Sequence, residues 1–221
     1  MNHIKIIILL LLCGCLSAAN AQKFEIDSIG KQKLEMPVSV SYFGNFIIDP
    51  GFKLGIERPF LTIQKTKNKS NGKIKINRHQ FFNTLNLGYY YTKELNHTWF
   101  LNTELGYRKT RKSGFKTEVL LGVGYLRTFL TDETYEVDNN GNVSIIKNAG
   151  SNYFMPSLAF GLGYDNSLKH PNFPMAISIR PNLFFRYPYN SSLLKHIAIE
   201  INLSYKFKSP KSNSKYIFKS K

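Results

Sequence analysis

Four histidines beyond residue 21 are the side chains best suited to acid–base or metal chemistry: His79, His97, His170 and His196. Nucleophilic catalysis requires a nucleophile held against a base, and that base held by an orienting group. None of the four is followed by a serine within two residues, and no two of them have metal-ligand spacing. The sequence therefore predicts no catalytic residue, no metal site and no cofactor, although residues far apart in sequence could still meet.

Charged residues that alternate with apolar neighbours form a second candidate group. If their segments are strands, these charges share one face, and a buried charge without a partner is too costly to keep. Charges of both signs on an enclosed face therefore predict a paired network. A gated or narrow polar path, or a small-ligand site at one mouth, is the alternative. The predicted network comprises Lys53, Glu57, Glu104, Arg108, Lys116, Glu118, Arg180, Arg186 and Glu200.

The N-terminus has the three parts of a secretory signal peptide. Lys5 precedes the apolar run Ile6–Leu12, and Ala19-Asn20-Ala21 forms a small-x-small cleavage site, so we expect cleavage after Ala21. Both cysteines, Cys13 and Cys15, leave with residues 1–21, which excludes disulfides and cysteine-based zinc sites from the mature chain. One alternative is open, because Leu12-Cys13-Gly14-Cys15 resembles a lipobox in which Cys15 would be lipidated.

Composition describes a folded and strongly basic protein. The 221 residues are 43% hydrophobic and 14% aromatic, which excludes a solvated tail, and the formal net charge is +16. Such a charge would suggest a nucleic-acid partner in a cytosolic protein, but export excludes that partner. Basic residues concentrate in alternate connections, at positions 65–75 and 109–112, and in a tail from Lys208 to Lys221. This distribution predicts one basic rim.

Period-two alternation of apolar and polar residues recurs along the mature chain and predicts strands throughout. In the last segment Ile197, Ile199, Ile201, Leu203 and Tyr205 alternate with smaller or polar residues. We predict eight strands, near residues 38–43, 52–63, 74–91, 99–108, 115–129, 154–164, 175–187 and 197–207.

Turn signals and the strand pattern divide the chain into one barrel domain with flanking segments. We assign residues 22–36 to a lead-in, 37–207 to the barrel and 208–221 to a basic tail, expected to be disordered unless Tyr216-Ile217-Phe218 docks. The longest connection carries Asn140-Gly141, a hairpin signal, so Tyr135–Val137 and Val143–Ile145 are predicted to pair as a protruding hairpin. Asp138 to Asn142 lacks the ligand spacing of a calcium loop and is interpreted as the turn.

Glycine positions indicate which face of the strands lies inside. Glycine weakens a water-facing strand, whereas inside a narrow barrel it permits curvature and leaves room for a bulky neighbour. The polar face is therefore predicted to be the lumen. The glycines on it are Gly55, Gly88, Gly106, Gly122, Gly124, Gly161 and Gly163.

Aromatic residues on the apolar face fall toward strand ends, where an aromatic girdle of a membrane barrel would lie. A repeated apolar-Gly-Tyr motif, as in Leu87-Gly88-Tyr89, supplies four of them. The predicted girdle comprises Tyr89, Trp99, Tyr107, Tyr125, Tyr164, Tyr187, Tyr205 and Phe207.

The pattern resembles the small outer-membrane β-barrels of Gram-negative bacteria, such as the membrane domain of outer-membrane protein A. This resemblance covers residues 37–207 and implies an eight-stranded antiparallel up-and-down transmembrane β-barrel in the outer membrane. It also implies outer-membrane lipids and the barrel-assembly machinery as partners, the latter reading the last strand that ends in Tyr205 and Phe207. A larger envelope complex is a further implied partner.

The expected role is structural, anchoring or interactive, through the external loops and without a large pore. Three alternatives are open. The first is a barrel enzyme acting on lipid A or phospholipid, although the His-x-Ser pair of lipid A deacylases is absent. The second is a soluble periplasmic lipocalin-like carrier with an apolar lumen. The third is a narrow channel.

Overall fold

The computed structural model describes residues 25–44, 49–68, 74–138, 141–168, 173–190 and 192–220. The predicted signal peptide with its cleavage after Ala21, the possible lipobox and His170 lie outside the described residues. Among the described residues, no helix is long and apolar enough to cross a membrane.

Almost all described residues belong to strands. They are β1 (Glu25–Gly44), β2 (Gly51–Asn68), β3 (Ile74–Thr92), β4 (Asn96–Arg111), β5 (Phe115–Leu130), β6 (Thr134–Val137), β7 (Val143–Ile146), β8 (Asn152–Phe154), β9 (Ser157–Asp165), β10 (Met175–Tyr189) and β11 (Ser192–Ser220). A single turn of 3-10 helix covers Asn166–Leu168.

Antiparallel pairing closes the strands into a ring of eight, with β8 and β9 together counting as one. Each strand pairs with the next along the chain, and β11 returns to pair with β1, where Val38 lies opposite Tyr205. The predicted eight-stranded up-and-down barrel is confirmed. Closure satisfies the backbone hydrogen bonds that an open sheet would leave at its edges.

The two ends of the barrel differ. We call the end with the β1–β2, β3–β4, β5–β8 and β10–β11 connections the loop end, and the opposite end, which carries both chain termini, the terminal end. At the loop end, β6 and β7 pair with each other from Thr134↔Ile146 to Val137↔Val143. This confirms the predicted hairpin.

The terminal strands extend beyond the predicted barrel. The backbone of β1 begins at Glu25, and β11 continues to Ser220, where it pairs antiparallel with β1 and parallel with Leu61–Thr66 of β2. Residues 208–220 are therefore strand and not a disordered tail, which is the alternative expected if Tyr216-Ile217-Phe218 docked. Backbone pairing with the neighbouring strands orders this segment, although its serine- and lysine-rich sequence has low strand propensity.

Burial alternates along the strands with polar side chains inside. In β4, Glu104 and Arg108 are 2% and 4% exposed, whereas the intervening Leu105 is 58% exposed. The same inversion recurs around the barrel and confirms that the polar face lines the lumen. It is the arrangement of a membrane barrel, and it is opposite to that of a lipocalin-like carrier, whose lumen would be apolar.

Lumen-facing glycines make room for aromatic rings on the adjacent strand. Gly88 lies opposite Phe100, and Gly106 lies opposite Phe82, so β3 and β4 exchange one ring in each direction. A Cβ atom on Gly106 would approach two carbon atoms of the Phe82 ring at 2.6 and 2.7 Å. Any larger residue there would displace a ring that is fully buried.

Candidate functional site: the barrel interior and its loop-end mouth

Among the residues that the structure describes, eight buried charged side chains form one continuous network in the lumen. Four glutamates and four basic residues take part, so the network is neutral as a whole. The members, each at most 4% exposed, are Lys53, Glu57, Glu104, Arg108, Lys116, Glu118, Arg180 and Glu200.

Arg180 of β10 joins the two halves of this network. It lies 3.0 Å from Glu200 on β11 and 2.8 Å from Glu118 on β5. Glu200 continues to Lys53 at 2.6 Å, and Glu118 continues to Arg108 at 2.5 Å. Since these residues lie on five strands, the network cross-links the barrel through its centre.

The outer members of the network are satisfied by neutral side chains. Glu104 accepts hydrogen bonds from Thr84, Asn86 and Asn102 at 3.1–3.2 Å. Glu200 accepts one from Ser41 at 3.1 Å. Buried charges are tolerated when both ion pairing and hydrogen bonding replace the lost water. The arrangement fills the middle of the barrel with side chains, as expected for eight strands.

Arg186 is the one predicted network member that the structure places elsewhere. It lies in an apolar cluster at the loop end, where Nη2 donates to the hydroxyl group of Tyr90 and the guanidinium lies 5.8 Å from the ring centre of Tyr153. Arg186 lies apart from the network because it is near the outer end of β10, whereas Arg180 is near the middle of the strand. The cluster itself comprises Phe43, Tyr90, Phe100, Leu126, Met155, Phe184 and Ala198.

One buried ion pair escaped the sequence analysis. Lys206 lies 2.5 Å from Asp165 and also donates to Ser167, at the terminal end of the lumen. Lys206 stands on the polar side of the alternating last strand, so the alternation alone predicts that its side chain points into the lumen. Asp165 follows the predicted strand 154–164 by one residue, and only the observed extension of β9 aligns it.

The predicted girdle residues lie on the outside in two groups. Tyr89 and Trp99 pack at 4.9 Å near the loop end, where Tyr125 and Tyr187 both lie opposite Phe154. Near the terminal end, Tyr107 packs on Phe81 at 5.2 Å, Tyr205 packs on Phe207 at 4.7 Å, and Tyr164 pairs with Phe115. Between the groups lies an exposed aliphatic band that includes Leu85, Leu87, Leu101, Leu105, Leu121 and Val123.

The three described histidines contact aromatic residues. His79 is hydrogen-bonded to the hydroxyl group of Tyr107 and His97 to that of Tyr89, each at 2.7 Å. His196 stacks on Phe184 with ring centres 4.9 Å apart. No group of three metal-ligating side chains occurs among the described residues.

A cavity of about 580 Å³ opens at the loop end above the apolar cluster. Its walls are the β3–β4 turn, the end of β5, the base of the β6–β7 hairpin at Thr134 and Ile146, the chain that returns from β7 to β8, and the end of β10. Backbone hydrogen bonds from Leu130 to Ala149 (2.8 Å) and from Thr128 to Ser151 (2.9 Å) hold the returning chain against β5. The cavity is therefore part of the ordered barrel mouth. Arg186 contributes to its lining.

Comparisons with known proteins give distant structural neighbours. No protein-family model and no curated protein sequence matches the chain. The crystal structure of Neisserial surface protein A (NspA) is 8% identical, with a TM-score of 0.40, over 81% of this chain and 99% of that one. The crystal structure of the outer membrane enzyme PagL is 12% identical, with a TM-score of 0.35, over 76% and 97%. Likenesses this distant carry no argument about function, and the resemblance to outer-membrane protein A stays a prediction.

Proposed function

We propose that the protein is an integral outer-membrane barrel that anchors and displays its loop-end hairpin, with a lumen sealed by side chains. The observation that carries this proposal is the inverted polarity of the barrel. Its aliphatic band is half-exposed, while a neutral network of eight charged side chains is buried inside. Such a surface is stable against lipid and unfavourable against water.

The hairpin formed by β6 and β7 is the element most suited to display. Among the described residues its strands pair only with each other, and Tyr135, Val137, Val143 and Ile145 are all more than half exposed. Glu133, Glu136 and Asp138 make the approach to its turn acidic. A rigid barrel carrying a separate exposed ribbon fits adhesion or association with a larger envelope complex.

The terminal end would then face the periplasm, as the resemblance to small outer-membrane barrels implies. Lys65, Lys75, Lys109 and Arg111 lie near this end of β2, β3 and β4, beyond the aromatic residues. In that orientation they meet phospholipid headgroups. The stretch of β11 that ends in Tyr205 and Phe207 would be the segment read by the barrel-assembly machinery.

One pair of substitutions tests the membrane location. Leu105→Arg places a charge in the aliphatic band, whereas the matched Val137→Arg places one on the hairpin; the two native side chains are 58% and 64% exposed. An arginine facing the middle of a bilayer costs about 2–4 kcal/mol, whereas an arginine in water costs little. We expect Leu105→Arg to reduce the amount of folded protein in a carbonate-washed outer-membrane fraction and Val137→Arg to leave it unchanged.

The readout is gel mobility with and without boiling in detergent, because closed membrane barrels often stay compact in unheated detergent. Equal recovery of both variants, or release of the wild-type protein by carbonate, would overturn the membrane assignment. Sealing is tested separately in planar bilayers, where we expect no discrete conductance steps. Discrete conductance steps would contradict a sealed lumen and support the narrow-channel alternative.

A further inference from the structure

Arg186 is a buried cation that makes no ion pair within 4 Å among the described residues. It is 6% exposed, and the described acid closest in effect is Asp49, which is itself 7% exposed and whose charge acts on Tyr90. Every other buried basic residue at such low exposure in the described lumen has a carboxylate partner, including Lys53, Arg108 and Lys206. Desolvating an arginine without a carboxylate in direct contact is costly, so this exception requires an explanation.

The neighbours of Arg186 satisfy it only in part. Nη2 donates to the hydroxyl group of Tyr90, and the guanidinium lies 5.7 and 5.8 Å from the ring centres of Tyr90 and Tyr153. Ring faces attract a cation without neutralising it. Nε is buried and has no hydrogen-bond partner among the residues that the structure describes. Arginine offers five donors in a planar fork, and the side chain of Arg186 also borders an open space.

The open space is the loop-end cavity, whose described lining contains one basic and no acidic side chain. Asn96, Thr128 and Ser151 add amide and hydroxyl groups to the wall, and Leu95 and Tyr189 add apolar surface. A volume of about 580 Å³ is that of a pocket for a small organic molecule. The lining thus combines one desolvated cation, a few neutral polar groups and apolar walls.

We propose that the loop-end cavity binds a small molecule that carries an oxyanion, either a carboxylate or a phosphate, with Arg186 as the group that recognises the charge. The guanidinium geometry suits both oxyanions. The neutral polar side chains would form hydrogen bonds with hydroxyl groups of the same molecule, such as those of an acidic or phosphorylated sugar. This site goes beyond the anchoring role and requires only the folded barrel.

The test measures binding to the purified full-length barrel in detergent micelles. Glucuronate and glucose 6-phosphate are the anionic probes, and glucose is the neutral probe of similar size. Three variants are compared with wild type: Arg186→Gln, Arg186→Lys and, as the matched control, Arg127→Gln. Arg127 is also an arginine at the loop end, but it lies half-buried on the outer face, where it donates to Asn152 at 3.0 Å.

We expect an anionic probe to bind and glucose not to bind. Arg186→Gln should weaken binding by roughly tenfold or more, with Arg186→Lys intermediate and Arg127→Gln unchanged. Equal binding of glucose and the anions, no binding of any probe, or equal loss in both glutamine variants would overturn the proposal. Arg186 would then be a structural cation of the apolar cluster.

If the Arg186→Gln variant does not fold, the proposal is tested by a measurement on the wild-type protein. Backbone amide resonances of Leu95, Ser151 and Tyr189 should shift with glucuronate and not with glucose. Shifts confined to the terminal end would locate the anion on the basic rim and contradict the proposed site. Heat-dependent gel mobility reports the barrel itself, so loss of binding with an intact mobility shift leaves the proposed membrane role standing.

Discussion

Glu118 is the most heavily used anion of the lumen. Arg108, Lys116 and Arg180 lie 2.5, 3.1 and 2.8 Å from its carboxylate, and its side chain is fully buried. Removing this one charge takes a carboxylate partner from three buried cations, and the network changes from neutral to a net positive charge.

Glu118→Gln should therefore destabilise the folded barrel by about 3–5 kcal/mol. Urea unfolding in vesicles, followed by gel mobility, measures the change. The control is Glu136→Gln on the exposed hairpin, expected to stay within about 0.5 kcal/mol of wild type. The double variant Lys116→Gln/Glu118→Gln restores neutrality and should recover part of the loss. A cost no larger than that of the control would show that the ion pairs do not stabilise the barrel.

Sequence alone could identify which charges face inward but not which of them meet. Period-two alternation places both Arg180 and Arg186 on the lumen face, and nothing in their local sequence distinguishes their partners. Register across β10 and β11 makes the distinction, since Arg180 lies opposite Glu200, whereas Arg186 lies opposite Leu194. Cross-strand register depends on every turn in the barrel, so it is a property of the closed fold.

At the scale of elements, the β6–β7 hairpin is separable from the barrel wall. Its four backbone pairs are internal, and residues 134–138 and 141–146 are largely exposed. The sequence predicts this hairpin because alternating apolar residues flank an Asn-Gly pair. For residues 213–220 the sequence indicated only that Tyr216-Ile217-Phe218 could dock, because the lysine, serine and asparagine around them follow no alternation and the neighbouring strands impose the order.

Replacing residues 134–146 by a short Gly-Ser linker should leave the barrel folded and inserted. Loop tips that make few contacts tolerate such exchange, whereas strands of the wall do not. Heat-dependent mobility and carbonate resistance should match those of wild type. A matched replacement of residues 117–121 in β5 should abolish both. Loss of the folded band on hairpin removal would mean that the hairpin stabilises the wall.

At the scale of the whole molecule, charge is segregated. The chain has a formal net charge of +16, and the central network contributes nothing to it because its charges cancel. The excess positive charge therefore lies outside that network, much of it in connections and strand ends at the terminal end. Exposed positive charge near a bilayer is attracted by anionic headgroups and is screened by salt.

We expect the urea-unfolded protein to fold faster into vesicles that contain phosphatidylglycerol than into vesicles of phosphatidylcholine alone. The difference should shrink strongly in high salt, since the Debye length falls to about 3 Å at 1 M. Timed gel mobility gives both rates. A preference that persists unchanged in high salt would point to a chemical feature of the lipid other than its charge.

The seam where β11 returns to β1 has a consequence for the order of folding events. Val38 and Tyr205 are partners from opposite ends of the sequence, so their contact has nearly the largest loop-closure entropy available to this chain. The other wall strands are joined by hairpins or by the single longer loop before β8. Amide protection against solvent exchange should therefore develop first at hairpins such as β3–β4 and last along the seam.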